Sequence, residues 1–167
     1  RQIMDEGKIL LVKLDKGRLK GNADLLGSLM LAKIQAAAFS RTDTLESERR
    51  YFYLYIDEFQ NFATESFITM LSEARKYQLS LTLAHQQLAQ LLSPLRAAIL
   101  SNCRLQAYFQ ISRDDSNILA KESLVPIYND PPGWEWYIQQ LQELGDRQCF
   151  IKNKNDGGVI AVETLNL

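Results

Sequence analysis

The chain has 167 residues, 46% of them hydrophobic, with 19 basic and 20 acidic side chains and a formal net charge of −1. This length supports a substantial core, and we predict a single domain over residues 1–167. The near-neutral charge excludes a strongly basic domain that binds nucleic acid by phosphate neutralisation alone. No apolar run approaches the ~18 residues of a membrane span.

The first fifty residues predict a strand, a long helix and a charged connection. Residues 8–14 (KILLVKL) have the composition of a buried strand. Asn22 or Asp24 can cap a helix over residues 23–40, since their side chains accept hydrogen bonds from the first amides of a helix. The wide apolar arc of this helix predicts that it is well covered. The highly charged residues 41–50 predict an exposed connection.

The centre of the chain predicts a βαβ unit. Residues 52–56 (FYLYI) are apolar at every position, and an acidic pair, Asp57 and Glu58, follows at once. A strand with one solvent face alternates, so continuous apolarity predicts burial on both faces within a parallel sheet. A helix leads to a second strand over residues 79–84, which ends in a histidine and a glutamine. We therefore predict an α/β fold whose mostly parallel sheet, with strands 52–57 and 79–84 as neighbours, has helices on both faces.

The second half of the chain predicts shorter elements. In order they are a helix over 87–100 interrupted at Pro94, a strand over 105–111, a short helix over 114–124, a loop at 130–133, a helix with a core-facing stripe from Trp134 to Leu144, and a hairpin of residues 148–152 and 159–163. Proline is tolerated in a first helical turn but not in a helix interior. Asp-Gly before the last strand favours a tight hairpin turn. The two cysteines lack metal or redox spacing, which predicts reduced core thiols.

Polar residues at the carboxyl ends of neighbouring parallel strands mark the ligand crevice of an open α/β sheet. A buried strand that ends in Asp-Glu is the Walker B pattern, in which Asp57 holds Mg²⁺ and Glu58 polarises a water for attack on the γ-phosphate of ATP. The amide of Gln86 could contact both that water and the phosphate. An acidic surface feature is the alternative interpretation of the pair. His85, the only histidine, fits either a structural or a chemical role.

The phosphate-binding sequence GxxxxGK[ST], whose amides and lysine hold the phosphates of P-loop enzymes, occurs nowhere in the chain. Either an ancestral ATPase lost this loop or the loop precedes Arg1. Because the chain starts with arginine, we expect it to be a piece of a longer protein that carries the loop. The isolated piece is then expected to be nearly inactive.

Several segments, above all IDEFQNF, SEARKY and LTLAHQ, resemble the C-terminal part of HerA/FtsK-like ATPases, and most of all the conjugative-transfer and type IV coupling proteins of the TraG/TraD type. The resemblance extends over residues 3–122. It implies the C-terminal part of a RecA-like domain from a hexameric motor that couples ATP hydrolysis to DNA movement. It further implies conjugation or secretion machinery as partners and a cytoplasmic location, with any membrane tether outside this chain.

The resemblance assigns residue roles by position. Asp57 and Glu58 match the Walker B pair, Gln86 matches the sensor of the next strand, and Arg75 matches an arginine that reaches the nucleotide of a neighbouring subunit. One departure concerns the arginine that relatives carry after the phenylalanine of the fourth strand, because Gln110 stands there and only Arg113 could replace it. A second function stays open, that of a non-catalytic RecA-like module for protein recruitment or assembly.

Overall fold

A computed structural model of the chain describes residues 1–124 and 133–165, without the side chain of Lys16. The chain divides into two compact units, Arg1–His85 and Gln86–Leu167. The single domain predicted over residues 1–167 stays a prediction, and most of the loop predicted at 130–133 lies outside the described residues. Within the described residues no helix is long and apolar enough to cross a membrane.

The first unit opens with three helices. They are α1 (Gln2–Glu6), α2 (Lys16–Leu19) and α3 (Asn22–Phe39), followed by two 3₁₀ turns at Ser40–Asp43 and Glu46–Glu48. The long helix predicted over residues 23–40 is confirmed as α3. Its N-cap is Gly21, so neither residue predicted to cap it occupies that position. The predicted cover is also wrong, since Leu25 and Leu29 on this helix are mostly exposed.

The predicted βαβ unit is confirmed. Strands β1 (Phe52–Ile56) and β2 (Leu79–Leu83) are parallel neighbours in a two-stranded sheet, in a continuous register. The connection contains α4 (Ser66–Glu73), which the 3₁₀ turn Ala74–Tyr77 continues without a break. Helix α4 buries Phe67 and Met70. The α/β class with a parallel sheet and helices is therefore confirmed.

Burial of β1 on both faces, however, is wrong for this structure. Phe52, Leu54 and Ile56 lie on one face and are half-buried or buried, whereas Tyr53 and Tyr55 on the other face are 60% and 72% exposed. Side chains alternate along a strand, so the three inward and two outward positions follow from the period of two. Tyrosine reads as apolar in a composition pattern, yet its hydroxyl tolerates water. The sequence of β1 does alternate, because phenylalanine, leucine and isoleucine take the inward positions and tyrosines take the outward ones.

The strand predicted at residues 8–14 is not formed. This segment has no regular secondary structure in the described residues, and Ile9 and Leu11 are 88% and 90% exposed. An apolar, β-branched run favours a strand only where a neighbouring strand can accept its hydrogen bonds. The sheet of this unit has two strands, neither of which pairs with residues 8–14.

The second unit contains an antiparallel sheet of three strands. Their order is β3 (Leu105–Tyr108), β4 (Gln148–Asn153) and β5 (Gly158–Glu163). The predicted hairpin is confirmed as β4 and β5, and Gly157 in its turn has a φ of +66°, a conformation that costs glycine little. The strand predicted over residues 105–111 forms only as far as Tyr108.

In the described part of this unit, three helices accompany the sheet: α5 (Ser93–Asn102), α6 (Arg113–Leu119) and α7 (Trp134–Glu143). A 3₁₀ turn at Leu88–Gln90 precedes α5, and Pro94 lies in its first turn, which confirms the predicted interruption. A π-helical turn, Ala120–Leu124, extends α6. The stripe of α7 buries Tyr137 and Leu141, as predicted for a core-facing helix. Both cysteines are free thiols.

Candidate functional site

The carboxyl ends of β1 and β2 lie at one edge of the parallel pair. The pairing continues past both strands, because the Ala84 amide donates to the Ile56 carbonyl at 2.9 Å and the Phe59 amide donates to the Ala84 carbonyl at 3.0 Å. Asp57 and His85, which follow the two strands, are thereby brought to the same edge, where open α/β sheets bind ligands. Gln86, the next residue in sequence, is exposed and begins the second unit.

Glu58 has an uncommon backbone conformation. Its φ of 50° and ψ of 40° lie in the left-handed region, which a non-glycine residue enters at a cost of about 1 kcal/mol or more. The turn around it is fixed by hydrogen bonds, since the Glu58 carbonyl accepts from the backbone amide of Asn61 at 3.0 Å and from the Asn61 side chain at 3.1 Å. The chain thus reverses sharply directly after the strand.

The two carboxylates have different surroundings. Asp57 is exposed, and its Oδ1 accepts a 2.9 Å hydrogen bond from the Glu58 amide. Glu58 is half-buried, and its Oε2 accepts a 2.6 Å hydrogen bond from the side-chain amide of Gln60. One carboxylate therefore faces solvent next to the strand end, while the other is oriented by a neighbouring amide. Gln60 was not identified from the sequence, although its place two residues after the acidic pair was a usable signal.

Buried aromatic residues hold this turn against the rest of the unit. Phe59 is fully buried, and its ring lies 4.7 Å from that of Phe67 on α4. The Phe62 carbonyl accepts a hydrogen bond from the Ser28 hydroxyl of α3 at 3.2 Å. The acidic pair therefore sits on a turn that is anchored to both helices, which limits the movement of the carboxylates.

The residues at this edge fit a magnesium site that is completed by a phosphate ligand. No group of three or more His, Cys, Asp or Glu side chains that could hold a metal by themselves occurs in residues 1–124 and 133–165. Magnesium bound with nucleotides needs only one or two carboxylates, because phosphates and waters supply the other ligands. Asp57, with an exposed carboxylate at the strand end, meets that requirement.

Arg75 lies at the opposite end of the parallel pair. It belongs to the 3₁₀ turn Ala74–Tyr77, which leads into the first residue of β2, whereas the acidic pair follows the last residue of β1. The five residues of β2 correspond to about 16 Å of strand. The Arg75 side chain is exposed, and no ion pair to it occurs among the described residues. The structure therefore separates Arg75 from Asp57 and Glu58 of its own chain.

The connection predicted to be exposed contains a buried arginine. Arg41 is 1% exposed, and Arg49 is half-buried. Their side chains donate to backbone carbonyls of the turn that carries Arg75. Charge alone predicted solvent exposure for residues 41–50, and the error arose because an arginine fork can be buried when carbonyls satisfy its donors.

Gln110 occupies the position where relatives carry a further arginine, and Arg113 is the residue predicted to replace that arginine. The Gln110 side chain donates to the Gln142 carbonyl at 3.0 Å, which is a local structural contact. Arg113 is exposed at the start of α6. The proposed replacement of one by the other stays a prediction.

The comparisons confirm the resemblance found in the sequence. Residues 51–121, somewhat less than half of the chain, match the family described as the TraM recognition site of TraD and TraG. This range contains the acidic pair, Arg75 and Gln86. No curated protein matches the chain.

Solved structures show the same RecA-like fold. The plasmid coupling protein TrwB, in complex with a non-hydrolysable GTP analogue, is 18% identical with a TM-score of 0.63, over 86% of this chain and 37% of TrwB. The genome-packaging NTPase B204 of Sulfolobus turreted icosahedral virus 2, in complex with ATP-gammaS, is 13% identical with a TM-score of 0.58, over 82% of this chain and 62% of B204. The chain thus spans less than two thirds of either relative.

Proposed function

We propose that this chain is the part of a DNA-translocating ATPase of the coupling-protein type that carries its Walker B pair, sensor and interfacial arginine. The observation that carries the proposal is the acidic pair on an anchored turn at the carboxyl edge of the parallel strands, within a fold shared with nucleotide-binding relatives. Open α/β sheets bind their ligands at this edge. Strain at Glu58 is of the kind that clusters at functional sites.

Each residue has a separate role in this proposal. Asp57 would hold Mg²⁺, which when bound with ATP neutralises charge on the phosphates. Glu58, oriented by Gln60, would accept a proton from the attacking water, and its half-buried position would keep the carboxylate from swinging into solvent. Gln86 would contribute an amide that contacts both water and phosphate.

The proposed enzyme also needs a phosphate-binding loop. The sequence has no GxxxxGK[ST], so in this proposal the loop comes from polypeptide outside these residues. DNA is the proposed cargo, the proposed assembly is a homo-hexamer in the cytoplasm, and conjugation or secretion machinery is its proposed partner. The TraG and TraD family and the packaging NTPase B204 support this choice.

Arg75 would act on the nucleotide of a neighbouring subunit. About one strand length separates it from the acidic pair of its own chain, which is more than an arginine side chain spans. An arginine fork can spread positive charge over the phosphate oxygens of the transition state only when the next subunit is seated. Hydrolysis would thereby depend on assembly.

Mixed oligomers test this shared site. The protein would contain these residues together with a phosphate-binding loop, and Arg75→Ala subunits would be combined with Glu58→Gln subunits. Each variant alone is expected to lose about 10²-fold or more in turnover. In the mixture, some interfaces pair an intact Glu58 with an intact Arg75 from the neighbour, so partial ATPase activity should return.

The matched control is Arg104→Ala, which removes an exposed arginine that lies outside the proposed site. It should leave turnover unchanged. Absence of recovery in the mixture, under conditions where labelled subunits demonstrably exchange, would contradict action across the interface. Full turnover by Glu58→Gln oligomers would contradict the proposed catalytic site itself.

A second candidate function is protein recognition without catalysis. It is favoured by the family description, which names a recognition site for another protein, and by the exposed Tyr53 and Tyr55 on the outer face of β1 within the matched range. Tyrosine is enriched at protein interfaces because its ring is apolar and its hydroxyl is polar.

The two candidates differ in their response to substitution. If recognition is the function, Tyr53→Ser with Tyr55→Ser should reduce capture of a purified TraM-type protein, while Glu58→Gln should leave it unchanged. The control Ile160→Ser alters an equally exposed apolar residue in the second unit. If the loop-containing protein hydrolyses ATP and Glu58→Gln abolishes this turnover, the result would favour the ATPase function over protein recognition.

A further inference from the structure

Several of the hydrogen bonds that hold the turn carrying Arg75 are accepted by backbone carbonyl groups. The Gln78 amide donates to the carbonyls of Ala74 and Arg75, and the Gln78 carbonyl accepts from the Phe52 amide at 2.9 Å. The carbonyls of Lys76 and Tyr77 remain without a hydrogen-bond donor from the helix itself, because the last carbonyls of a helix have no intrahelical partner. Their partners determine whether the turn is fixed or frays.

Two arginine side chains from the preceding segment supply those partners. Arg41 donates from its Nη1 to the Tyr77 carbonyl at 3.0 Å, and Arg49 donates from its Nη1 to the Lys76 carbonyl. Both cations therefore lie at a helical C-terminus, where positive charge is favourable. The Arg49 guanidinium also lies over the Tyr77 ring, 5.6 Å from its centroid.

The two arginines are themselves fixed by further contacts. Arg41 donates from Nη2 to the Arg50 carbonyl at 2.7 Å, and its Nε forms an ion pair with Asp5 of α1 at 3.1 Å. Arg49 donates from Nε to the carbonyls of Arg41 and Thr44 at 2.9 and 3.0 Å. These forked contacts use several nitrogens at once, which lysine cannot reproduce.

We propose that Arg41 and Arg49 are positioning residues, which hold the turn so that the exposed Arg75 is presented at a fixed place to the neighbouring subunit. The inference rests on the proposed function, because it assigns Arg75 a role at the subunit interface. A clamp of this kind is needed since Arg75 has no ion pair of its own among the described residues. A displacement of about 1 Å at a catalytic group can cost about 10²-fold in rate.

The test uses the loop-containing ATPase with Arg41→Lys or Arg49→Lys, both of which keep the charge and remove the fork. Each should lower kcat about 10- to 10²-fold and leave KM for ATP and the hexamer intact. Arg49 is less buried than Arg41, so its variant tests the clamp should Arg41→Lys fail to fold. Arg50→Lys is the control, because the Arg50 side chain contacts the Glu6 carbonyl and not the turn.

Mixed oligomers separate positioning from a general structural defect. If the clamp acts through Arg75, Arg41→Lys subunits should regain activity when mixed with Glu58→Gln subunits and not when mixed with Arg75→Ala subunits. The reverse pattern would mean that Arg41 supports the site of its own subunit, which overturns the proposal. Loss of assembly by both lysine variants, or kcat values equal to that of Arg50→Lys, would overturn it as well. Full activity of Arg75→Ala oligomers would identify a failure of the proposed interfacial role instead.

Discussion

Glu58 and Asp57 are adjacent in sequence but differ in surroundings, and we expect their substitutions to differ in effect. In the loop-containing protein, Glu58→Gln should retain ATP binding and lose about 10²–10⁴-fold in turnover, because an amide keeps the shape but accepts no proton. Asp57→Asn should instead weaken magnesium-dependent ATP binding roughly tenfold or more, since it removes a charged metal ligand.

Binding measured by calorimetry with and without Mg²⁺ distinguishes the two variants. Glu65→Gln is the control, because this exposed glutamate makes no capping hydrogen bond. Equal loss of magnesium-dependent binding in both variants would mean that the pair acts as one unit rather than in separate roles.

At the residue scale, the sequence predicted those parts of the site that depend on local order. Asp57 and Glu58 were identifiable because a strand ends directly before them. Arg41 and Arg49 were not, because the carbonyls that they contact on the Arg75 turn are 36 and 27 residues away, and a carbonyl has no sequence signature. The contact between Gln60 and Glu58 is local and could have been predicted.

At the scale of elements, α3 supports the site turn through a glycine. A Cβ at Gly27 would lie 2.2 Å from Cδ1 of the Phe62 ring and 3.0 Å from Leu14. Alanine normally stabilises a helix interior by about 0.5–1 kcal/mol relative to glycine. Here we expect Gly27→Ala to destabilise the protein by about 1–3 kcal/mol, since overpacking outweighs propensity.

Urea unfolding of the chain measures this change. Gly21→Ala, at the N-cap of the same helix and with no described atom beyond its chain neighbours within 4 Å of its Cβ position, should change stability by less than about 1 kcal/mol. Unchanged or raised stability for Gly27→Ala would contradict the close packing of α3 on the site turn.

A buried polar network connects β3, β4 and the turn after α6. The Tyr108 hydroxyl contacts Ser123 Oγ at 2.8 Å and donates to the Gln106 side chain, while Lys152 donates to Ser123 Oγ at 2.9 Å. Burial raises the pKa of Tyr108 to about 12, from an ordinary value of 10.0. Between these values the folded state binds more protons than the unfolded state.

Stability should therefore fall as pH rises from about 10 to about 12, by up to about 2–3 kcal/mol. Tyr108→Phe should lose about 1 kcal/mol at neutral pH, for the hydrogen bonds, and lack this additional loss at high pH. Burial lowers the pKa of Lys152, which gives an opposite slope that both proteins share. Urea unfolding of the two proteins at several pH values gives the difference. Parallel pH profiles would contradict the raised pKa.

Helices and strands were predictable where a segment and the element that it packs against are close in sequence. The final hairpin has a short connection with a clear turn signal, and the βαβ unit has a helical connection between two apolar strands; both formed. The strand predicted over residues 8–14 was wrong because an apolar run indicates a preference for burial but does not indicate which surface would cover it. The prediction that β1 is buried on both faces was wrong for a related reason. Tyrosine and phenylalanine were both counted as apolar, although the tyrosine hydroxyl tolerates water.

At the scale of the whole molecule, the fold carries an acidic edge without the loop that binds phosphates. We predict that the isolated 167-residue chain binds Mg-ATP only beyond millimolar concentration. Lysine and loop amides supply charge-assisted hydrogen bonds to the β- and γ-phosphates, each worth on the order of 1.5–3 kcal/mol. Loss of three or four of them would move a micromolar site beyond millimolar.

Calorimetric titration with Mg-ATP checks this, with Asp57→Asn as the matched control. Because Asp57 alone contributes too little binding free energy, the unsubstituted chain and Asp57→Asn should show the same weak or undetectable heat of binding. A micromolar dissociation constant that Asp57→Asn abolishes would place a complete nucleotide site within these residues and would contradict the need for an external phosphate loop. A micromolar constant that the substitution leaves unchanged would locate nucleotide binding away from the acidic edge, and would count against the role proposed for Asp57.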